Sequence, residues 1–300
     1  QHKFGVAQRA KLWSKKREFY PHVLVMTATP IPRTLALTLY GDLDVSVIDE
    51  LPSGRKEIIT SHRFDNSRLK VFNFIKKTVD LGGQVYVVYP LIEESAKKDH
   101  KDLIDGYKSL TRYFPETQIG VLHGRMKSEN KEYEMKRFAD GKSKILVSTT
   151  VIEVGVDVAN ASVIIIESAE RFGLSQLHQL RGRVGRGSAQ SYCILMTKYD
   201  LNNDSKERIK AMVGSSDGFK IANVDLKMRG PGNMMGTKQS GLLELRFVNL
   251  AEDYNVIKQT RIVASELIKD DPNLSDQKNK GTKEHLKKSI KSNINWSRVS

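Results

Sequence analysis

Residues 176–187 read Gln-Leu-His-Gln-Leu-Arg-Gly-Arg-Val-Gly-Arg-Gly, and this stretch decides how the rest of the chain is interpreted. Five of its residues fit the spacing Q-x-x-G-R-x-G-R: Gln179, Gly182, Arg183, Gly185 and Arg186. Arginines three positions apart share one face of a helical turn, and the glycines allow another surface to approach the backbone closely. Two guanidinium groups aimed at one point suit a phosphate whose charge grows during its transfer. The alternative for an isolated motif is a basic, glycine-rich loop on a solvated surface.

Two other blocks of sequence argue against a solvated basic loop. Ser148-Thr-Thr-Val-Ile-Glu-Val-Gly-Val-Asp157 lies upstream of the arginines, and Thr27-Ala-Thr-Pro-Ile-Pro-Arg-Thr34 lies near the start of the chain. In this order, the three blocks resemble motifs III, V and VI of the superfamily 2 helicases. Their order favours a nucleotide-dependent motor over a solvated basic surface.

The first residues suggest that part of this motor is missing. The segment from Gln1 to Arg9 resembles the residues that come after Asp-Glu in an Asp-Glu-x-His box, and no G-x-x-x-x-G-K-[ST] phosphate-binding loop occurs in the 300 residues. We therefore expect a fragment without the phosphate-binding lysine and the metal-binding acids. The fragment alone is expected to hydrolyse no ATP.

The charge of the chain favours a polyanionic partner. Forty-nine Lys and Arg residues against 35 Asp and Glu residues give a formal net charge of +14. A soluble protein with a merely basic surface is the alternative.

Cysteine content and hydropathy exclude other classes of protein. The single cysteine, Cys193, rules out a disulfide framework, and its apolar neighbours predict a buried structural thiol. No apolar run is long enough to span a bilayer, and no secretory signal opens the chain. We expect a cytoplasmic protein without a membrane partner.

The middle of the chain alternates between strand and helix patterns. Strands are predicted at Gln84–Tyr89, Ile119–Leu122, Lys144–Ser148, Val163–Glu167 and Tyr192–Met196, and helices between Ser95 and Phe114 and at Ser128–Ala139. Ser128 is a predicted N-cap, and Met135 and Phe138 are expected to face the core. Short apolar strands separated by helices predict a parallel sheet covered on both faces.

The flanking segments predict further elements. Strands are expected at Val23–Met26 and Val45–Ile48, a helix at Leu35–Tyr40, and a linker at Leu51–Arg55. Beyond the middle, helices are expected at Asp204–Val213, Gly218–Met228, Asp253–Ile268 and Thr282–Ile294, with an irregular loop at Arg229–Gly241 and a mobile link at Asn273–Gly281. Leu286, Ile290 and Ile294 form an apolar stripe that is expected to pack. We predict domains at 1–52, 53–203 and 204–300.

One more block narrows the resemblance. Asp225-Leu-Lys-Met-Arg-Gly-Pro-Gly-Asn-Met-Met-Gly-Thr-Lys-Gln-Ser-Gly-Leu242, with the blocks at 27–34 and 176–187, closely resembles the RecG family of bacterial branch-migration DNA helicases. The resemblance covers essentially the whole chain and is weakest beyond residue 270. It implies an α/β fold: the end of a first RecA-like lobe, a second RecA-like lobe with a parallel sheet, then a helical hairpin and C-terminal helices.

The resemblance also implies roles for residues on the nucleotide side. Arg183 and Arg186 would reach the γ-phosphate of ATP, with Arg186 as the arginine finger. Gln179 would position the attacking water or the phosphate. Gly155 and Asp157 would face the nucleotide. The family uses Mg²⁺ with ATP, and the Mg²⁺ ligands are expected in the missing part of the first lobe, with no metal ligand in this chain.

A second set of residues is implied to face DNA. Thr149 would hydrogen-bond the DNA backbone, and Thr27 and Thr29 would couple the nucleotide cleft to DNA. His123 and Arg125 fit a phosphate-contacting loop after a strand, with a structural turn histidine as the alternative.

The irregular loop after the helical hairpin is implied to move with the motor. Arg229 and Gln239 would belong to this translocation loop. The alternative for Arg229 is that it braces the loop against an acidic partner.

The implied function is ATP-dependent remodelling of branched DNA, by fork regression and Holliday junction branch migration, in recombination and repair. Forked double-stranded DNA is the expected partner, with a contact to single-strand-binding protein, and a monomer in the bacterial cytoplasm near the nucleoid is expected. The alternatives are a transcription–repair coupling translocase and a non-catalytic nucleic-acid binding module.

Overall fold

The computed structural model describes residues 54–90, 96–149, 158–229 and 253–292, together with residues 24, 26, 46–48 and 50. The chain divides into two compact units. One consists of residues 47–225, and the other consists of residues 1–46 and 226–300. The predicted domain borders at 52/53 and 203/204 stay predictions.

A six-stranded parallel sheet forms the centre of the larger unit. Its strands are β1 (Ile59–Phe64), β2 (Gln84–Tyr89), β3 (Ile119–Leu122), β4 (Ile145–Thr149), β5 (Ala161–Ile166) and β6 (Tyr192–Thr197). Their order across the sheet is β1-β6-β5-β2-β4-β3, and each neighbouring pair is parallel. This confirms the predicted α/β class with a parallel sheet.

Helices connect the strands and extend beyond them. They are α1 (Arg68–Asp80), α2 (Ala96–Tyr113), α3 (Ser128–Ala139), α4 (Leu174–Arg181), α5 (Asn203–Gly214), α6 (Gly218–Arg229), α7 (Tyr254–Asp270) and α8 (Lys280–Ser292). Short 3-10 turns lie at Asp65–Ser67, Ala169–Arg171 and Gln277–Asn279.

Burial on both faces explains why the central strands are nearly continuous apolar runs. Every residue of β2 and β4 is buried. Alternate side chains of β2 point to opposite faces, so Val85 and Val87 join the core formed with α1 and α2. Tyr86 packs instead on Phe138 of α3, with ring centroids 4.8 Å apart. Helices therefore cover both faces, as a parallel sheet requires.

A buried amide marks the start of β2. Gln84 is 1% exposed, and its Nε2 donates hydrogen bonds to the carbonyl oxygens of Phe138 (2.6 Å) and Ser143 (2.9 Å). Both donors of this amide are thereby satisfied, which removes the cost of burying an unpaired polar group. The bonds fix the end of α3 to the amino edge of the sheet.

The structure confirms most of the predicted elements of the larger unit and corrects their ends. Met135 and Phe138 are buried as predicted. Ser128 is the first residue of α3 and not its N-cap, since Lys127 occupies the cap position without a side-chain hydrogen bond. Strand ends shift by one or two residues, and β1 and α1 were not predicted as separate elements.

The strands predicted before the linker are wrong at the residues that the structure describes. Leu24, Met26 and residues 46–48 belong to no strand. Leu24 and Ile48 are largely exposed, and no described strand pairs with them. Apolar β-branched residues form a strand only where a neighbouring strand accepts their backbone hydrogen bonds. The helix predicted at Leu35–Tyr40 lies outside the described residues.

The smaller unit contains α7 and α8, joined by a hydrogen-bonded turn. The Asp271 carboxylate accepts hydrogen bonds from the backbone N–H groups of Ser275 (2.8 Å) and Asp276 (2.9 Å) and from Asn279 Nδ2 (2.9 Å). These bonds lower the pKa of Asp271. The predicted mobile link at Asn273–Gly281 is therefore wrong, because one carboxylate organises most of it. Leu286 is 47% exposed, which contradicts its predicted packing.

Candidate functional site

Helix α4 carries the residues before the arginine loop. It begins after Gly173, whose N–H donates to Gln176 Oε1 at 3.1 Å, and it ends at Arg181. Leu177 and Leu180 are buried on one face of the helix. Gln179 is exposed on the opposite face.

The two predicted phosphate-contacting arginines lie in a loop beyond this helix. Arg183 is partly buried and Arg186 is exposed. The expectation that they share one face of a helical turn is wrong, because α4 stops at Arg181 and the backbone at Gly185 has φ of 80°. This left-handed conformation, which glycine adopts without steric cost, turns the chain before Arg186.

The loop is packed closely from two sides. A Cβ atom on Gly185 would lie 2.9 Å from Ile58 Cγ1, and one on Gly187 would lie 2.6 Å from the carbonyl oxygen of Ala159. Ala159 precedes β5, so the loop lies at the amino edge of the sheet. Close approach therefore explains Gly185, as expected from the sequence, and also Gly187, whereas a Cβ atom on Gly182 would make only an ordinary contact of 3.4 Å.

The segment before β1 also holds the loop. Arg55 Nε donates to the carbonyl oxygen of Gly185 at 2.7 Å. Gln190 Nε2 donates to the carbonyl oxygen of Glu57 at 2.8 Å. No local pattern indicated these bonds, since their partners are more than 100 positions apart.

Arg181, at the end of α4, connects two parts of the larger unit, and the sequence did not predict this contact. It is 3% exposed, and its guanidinium donates to three carbonyl oxygens, those of Met212 (3.1 Å), Ser215 (2.7 Å) and Ser216 (3.0 Å). The Met212 carbonyl lies in the last turn of α5, and those of Ser215 and Ser216 lie in the turn between α5 and α6. Arg181 therefore binds the helix that precedes the arginine loop to the helical hairpin.

A histidine completes this contact. His178 Nδ1 lies 3.0 Å from Arg181 Nη2. Burial, reinforced by the positive charge of Arg181, lowers the pKa of His178 to about 4. The imidazole is then neutral near pH 7, and its Nδ1 accepts a hydrogen bond from Arg181.

The start of α4 contacts the same hairpin. Ser175 Oγ donates to Asp225 Oδ2 of α6 at 3.4 Å. Arg208 Nη1 of α5 donates to the carbonyl oxygen of Phe172 at 2.7 Å. Helix α4 and the residues just before it are thus bound to the hairpin at both ends.

The predicted DNA-contacting residues of the lobe lie at the opposite edge of the sheet. Thr149 is the last residue of β4, and its hydroxyl is buried without a hydrogen-bond partner among the described residues. His123 follows β3, which pairs with β4 so that Leu122 lies beside Ser148. The structure therefore brings His123 and Thr149 to neighbouring strand ends. A five-residue strand separates this carboxyl edge from the arginine loop by roughly 16 Å.

The loop after β3 presents cationic groups. Arg125 is exposed at this loop, and Lys131 Nζ of α3 donates to the carbonyl oxygen of Gly124 at 3.0 Å. The N–H of His123 donates to Met126 Sδ at 3.4 Å. This arrangement suits contact with a phosphate, and the loop stays compact through its own bonds.

Several predicted site residues cannot be placed. Thr27, Thr29, Gly155, Asp157 and Gln239 lie outside the described residues. Arg229 is the last residue of α6, and its side chain is likewise outside the described part of the chain. Their roles stay predictions.

Other features bear on metal, thiol and membrane chemistry. Within the described ranges, no group of three or more His, Cys, Asp or Glu side chains could hold a metal ion. Cys193 is buried as predicted, and burial raises the pKa of its thiol to about 12, which excludes a thiolate nucleophile near pH 7. No helix in the described part of the chain has both the length and the apolar character for crossing a bilayer.

Two family models match the chain. Residues 68–188 match the helicase conserved C-terminal domain, and residues 215–300 match domain 3, C-terminal, of the ATP-dependent DNA helicase RecG. The first match covers most of the sheet and the arginine loop. The second begins at the turn that Arg181 binds and includes the hairpin's second helix.

Individual relatives are similar over most of the chain. An ATP-dependent DNA helicase RecG of Synechocystis sp. is 55% identical over 275 residues, which are 91% of this chain and 33% of the relative. The RecG of Bacillus subtilis is 47% identical over 90% of this chain and 39% of its own length. A solved structure of RecG bound to a three-way DNA junction has a TM-score of 0.63 at 44% identity, over 81% of this chain and 32% of that chain. The chain thus spans little more than a third of the length of the relatives it matches, and over about nine tenths of its own length it is similar to RecG helicases.

Proposed function

We propose that this chain is the C-terminal motor portion of an ATP-dependent DNA helicase that remodels branched DNA, by fork regression and branch migration. One observation carries the proposal: a single short helix, α4, leads into the arginine loop and also binds the helical hairpin through Arg181. Helix α4 thereby connects the arginine loop, which responds to the phosphate, to the helical hairpin, which moves on DNA. The similarity to RecG helicases supplies the reaction class.

The arginine loop fits the triphosphate of ATP. The site needs cationic forks that can approach phosphate oxygens, and the loop offers two guanidinium groups on a backbone fixed by close packing at Gly185 and Gly187. Arg186 acts as the arginine finger and Arg183 as a second γ-phosphate ligand. Gln179 orients the attacking water, while Gly155 and Asp157 face the nucleotide.

Mg²⁺ is proposed to be held by the acidic residues of the complete first lobe. The described residues of this chain supply no ligand set for it. When bound with ATP, Mg²⁺ neutralises phosphate charge. Arg183 and Arg186 contribute the remaining positive charge from the second lobe, and this attraction favours closure of the cleft until the γ-phosphate is released.

The carboxyl edge of the sheet is proposed to hold the DNA backbone. Thr149 has a hydroxyl without a protein partner among the described residues, and His123 and Arg125 follow the neighbouring strand. Thr27 and Thr29 contact DNA from the first lobe. Backbone contacts carry little sequence information, which suits an enzyme that recognises branched shape.

Movement is proposed to pass from α4 to the hairpin. A shift of the arginine loop displaces α4, and Arg181 transmits the shift to residues 212–216 because three carbonyl oxygens there follow its guanidinium. The hairpin then moves the loop that carries Arg229 and Gln239, and this loop advances along duplex DNA.

The RecG relatives favour this function over a transcription–repair translocase and over a non-catalytic binding module. A DNA substrate would place the protein at the bacterial nucleoid in the cytoplasm. A monomeric state and a contact with single-strand-binding protein stay predictions.

The test uses the full-length protein with a synthetic replication fork and a Holliday junction. We expect ATP-dependent strand separation and branch migration, with ATP hydrolysis that forked DNA stimulates. A non-hydrolysable ATP analogue should support neither reaction. Hydrolysis without any strand separation would reject the helicase function, and the absence of DNA-stimulated hydrolysis would reject the motor.

A further inference from the structure

The segment that runs from the end of the predicted linker to the sheet makes specific contacts with the arginine loop. Residues 55–58 precede β1, and three of them contact residues 185–190. Arg55 binds the carbonyl oxygen of Gly185, Glu57 accepts from Gln190, and Ile58 packs against Gly185. We call residues 55–58 the pre-strand segment.

The Arg55 contact differs from the other two in strength and position. Its Nε–O distance of 2.7 Å is short for an N–H···O bond, and the donor is charged. The accepting carbonyl belongs to Gly185, which lies between the two arginines proposed to bind the γ-phosphate. A bond to this carbonyl fixes the peptide unit that joins Gly185 to Arg186.

The backbone conformation of Gly185 explains why this bond affects the direction of the chain at Arg186. Glycine adopts positive and negative values of φ at similar energy, and Gly185 has φ of 80° here. Packing against Ile58 restricts the Cα position, whereas the carbonyl direction depends on a donor. Arg55 supplies that donor, and it therefore selects one direction for the following Arg186.

We propose that Arg55 is a positioning residue for ATP hydrolysis, which holds the arginine loop in the geometry that reaches the γ-phosphate and connects the loop to the pre-strand segment. This inference rests on the proposed function, because it assigns Arg183 and Arg186 to the phosphate. Arg55 itself touches no reacting atom. Its contribution is to the rate of hydrolysis and not to the affinity for ATP.

The test compares variants of the full-length protein. In Arg55→Ala the donor and the aliphatic chain are lost, in Arg55→Met the donor is lost while much of the apolar packing is kept, and in Arg55→Lys a charged donor is kept. Arg63→Ala is the matched control, because Arg63 Nη1 also donates to a backbone carbonyl at 2.7 Å, that of its own neighbour His62.

We expect Arg55→Ala and Arg55→Met to lower kcat for DNA-stimulated ATP hydrolysis by about 10- to 100-fold, the scale of one lost charge-assisted hydrogen bond. KM for ATP should stay within about threefold, because a positioning group that acts only in the transition state changes kcat. Arg55→Lys should recover a large part of kcat. Arg63→Ala should behave as the unaltered protein.

Two results would overturn the proposal. The first is a kcat within about twofold of the unaltered protein for both Arg55→Ala and Arg55→Met. The second is a loss of kcat accompanied by an equal loss of melting temperature and ATP affinity in both variants, because that pattern belongs to a general structural brace. If Arg55→Ala does not fold, Arg55→Met alone decides between these outcomes.

A readout without ATP separates this inference from the proposed function. Hydrogen–deuterium exchange should be faster at residues 182–190 in Arg55→Met, with the rest of the sheet unchanged. Faster exchange in a protein that hydrolyses no ATP would reject the proposed function and keep the positioning contact. Unchanged exchange would reject the positioning contact itself.

Discussion

Arg181 Nη1 donates a hydrogen bond of 2.7 Å to the carbonyl oxygen of Ser215, across 34 positions of sequence. The same guanidinium reaches Met212 and Ser216, so the end of α4 and the turn between α5 and α6 form one bonded unit. Burial lowers the pKa of Arg181, yet an arginine remains charged near pH 7. Three carbonyl dipoles stabilise this buried cation.

Replacing Arg181 should therefore destabilise the larger unit. In Arg181→Lys the charge remains, but a single ammonium nitrogen replaces the planar fork whose two terminal nitrogens reach the three carbonyl oxygens. We expect a loss of about 1–3 kcal/mol in the free energy of unfolding, measured by urea denaturation. Arg208→Lys is the control, since Arg208 Nη1 binds one distant carbonyl oxygen, that of Phe172, and it should cost less. Equal losses in the two variants would contradict the network.

Arg186→Ala tests the proposed arginine finger in the full-length protein. We expect DNA-stimulated ATP turnover to fall by roughly 10³-fold or more, which is the usual contribution of such a residue. ATP affinity should fall much less, because the first lobe holds most of the triphosphate. Arg112→Ala, at an exposed position of α2, is the control for loss of surface charge. Near-normal turnover in Arg186→Ala would favour the alternative interpretation, in which the loop is only a solvated basic surface.

Gly187→Ala tests the packing of the arginine loop on Ala159, just before β5. The added methyl group would meet the carbonyl oxygen of Ala159 at 2.6 Å, and a backbone atom cannot move aside cheaply. We expect destabilisation by about 1–3 kcal/mol in urea unfolding. Gly214→Ala is the matched control, because a methyl group there meets no atom within 4 Å. Equal stability of the two variants would show that the loop relaxes freely.

His178 should make the stability of the larger unit depend on pH. Its pKa is lowered from 6.5 to about 4, mainly by burial, so the unfolded chain takes up the proton first. The stability associated with neutral His178 is fully present above about pH 6.5, decreases as the pH falls below that value, and is lost near pH 4. The melting temperature should follow this course.

His178→Asn separates this titration from general acid unfolding. Asparagine keeps an acceptor for Arg181 and does not titrate. Its melting temperature should fall less between pH 7 and pH 5 than that of the unaltered protein. His285→Asn, at an exposed histidine of α8, should keep the original pH dependence. Identical pH profiles for His178→Asn and the unaltered protein would exclude His178 as the titrating group.

Local patterns predicted the sheet well, because each strand and helix leaves a short-range trace in the sequence. The runs around Val85 and Ile145 are apolar since both faces of the sheet are covered, and that requirement acts residue by residue. The motif at 176–187 was recognisable because its residues are also close together in the sequence. Its loop geometry was not, because the left-handed backbone at Gly185 depends on packing against Ile58.

The contacts that connect the site to its surroundings could not be predicted. Arg181 is one more arginine of a basic motif in the sequence, and its three acceptors are backbone carbonyls that have no side-chain signature. Arg55 belongs to the predicted linker, and its acceptor lies 130 positions away. Bonds from side chains to distant backbone atoms depend on the tertiary fold alone.

The chemistry of Cys193 makes fluorescent labelling of this chain straightforward. The thiol is the only one in the 300 residues, it lies within the central sheet, and burial raises its pKa to about 12. Maleimide reagents react with exposed thiolates, so the native cysteine should remain unmodified without being replaced. A cysteine introduced at an exposed position, such as Ser216 of the hairpin turn, would then carry a single dye. The hairpin could be followed by fluorescence in an otherwise unaltered sequence.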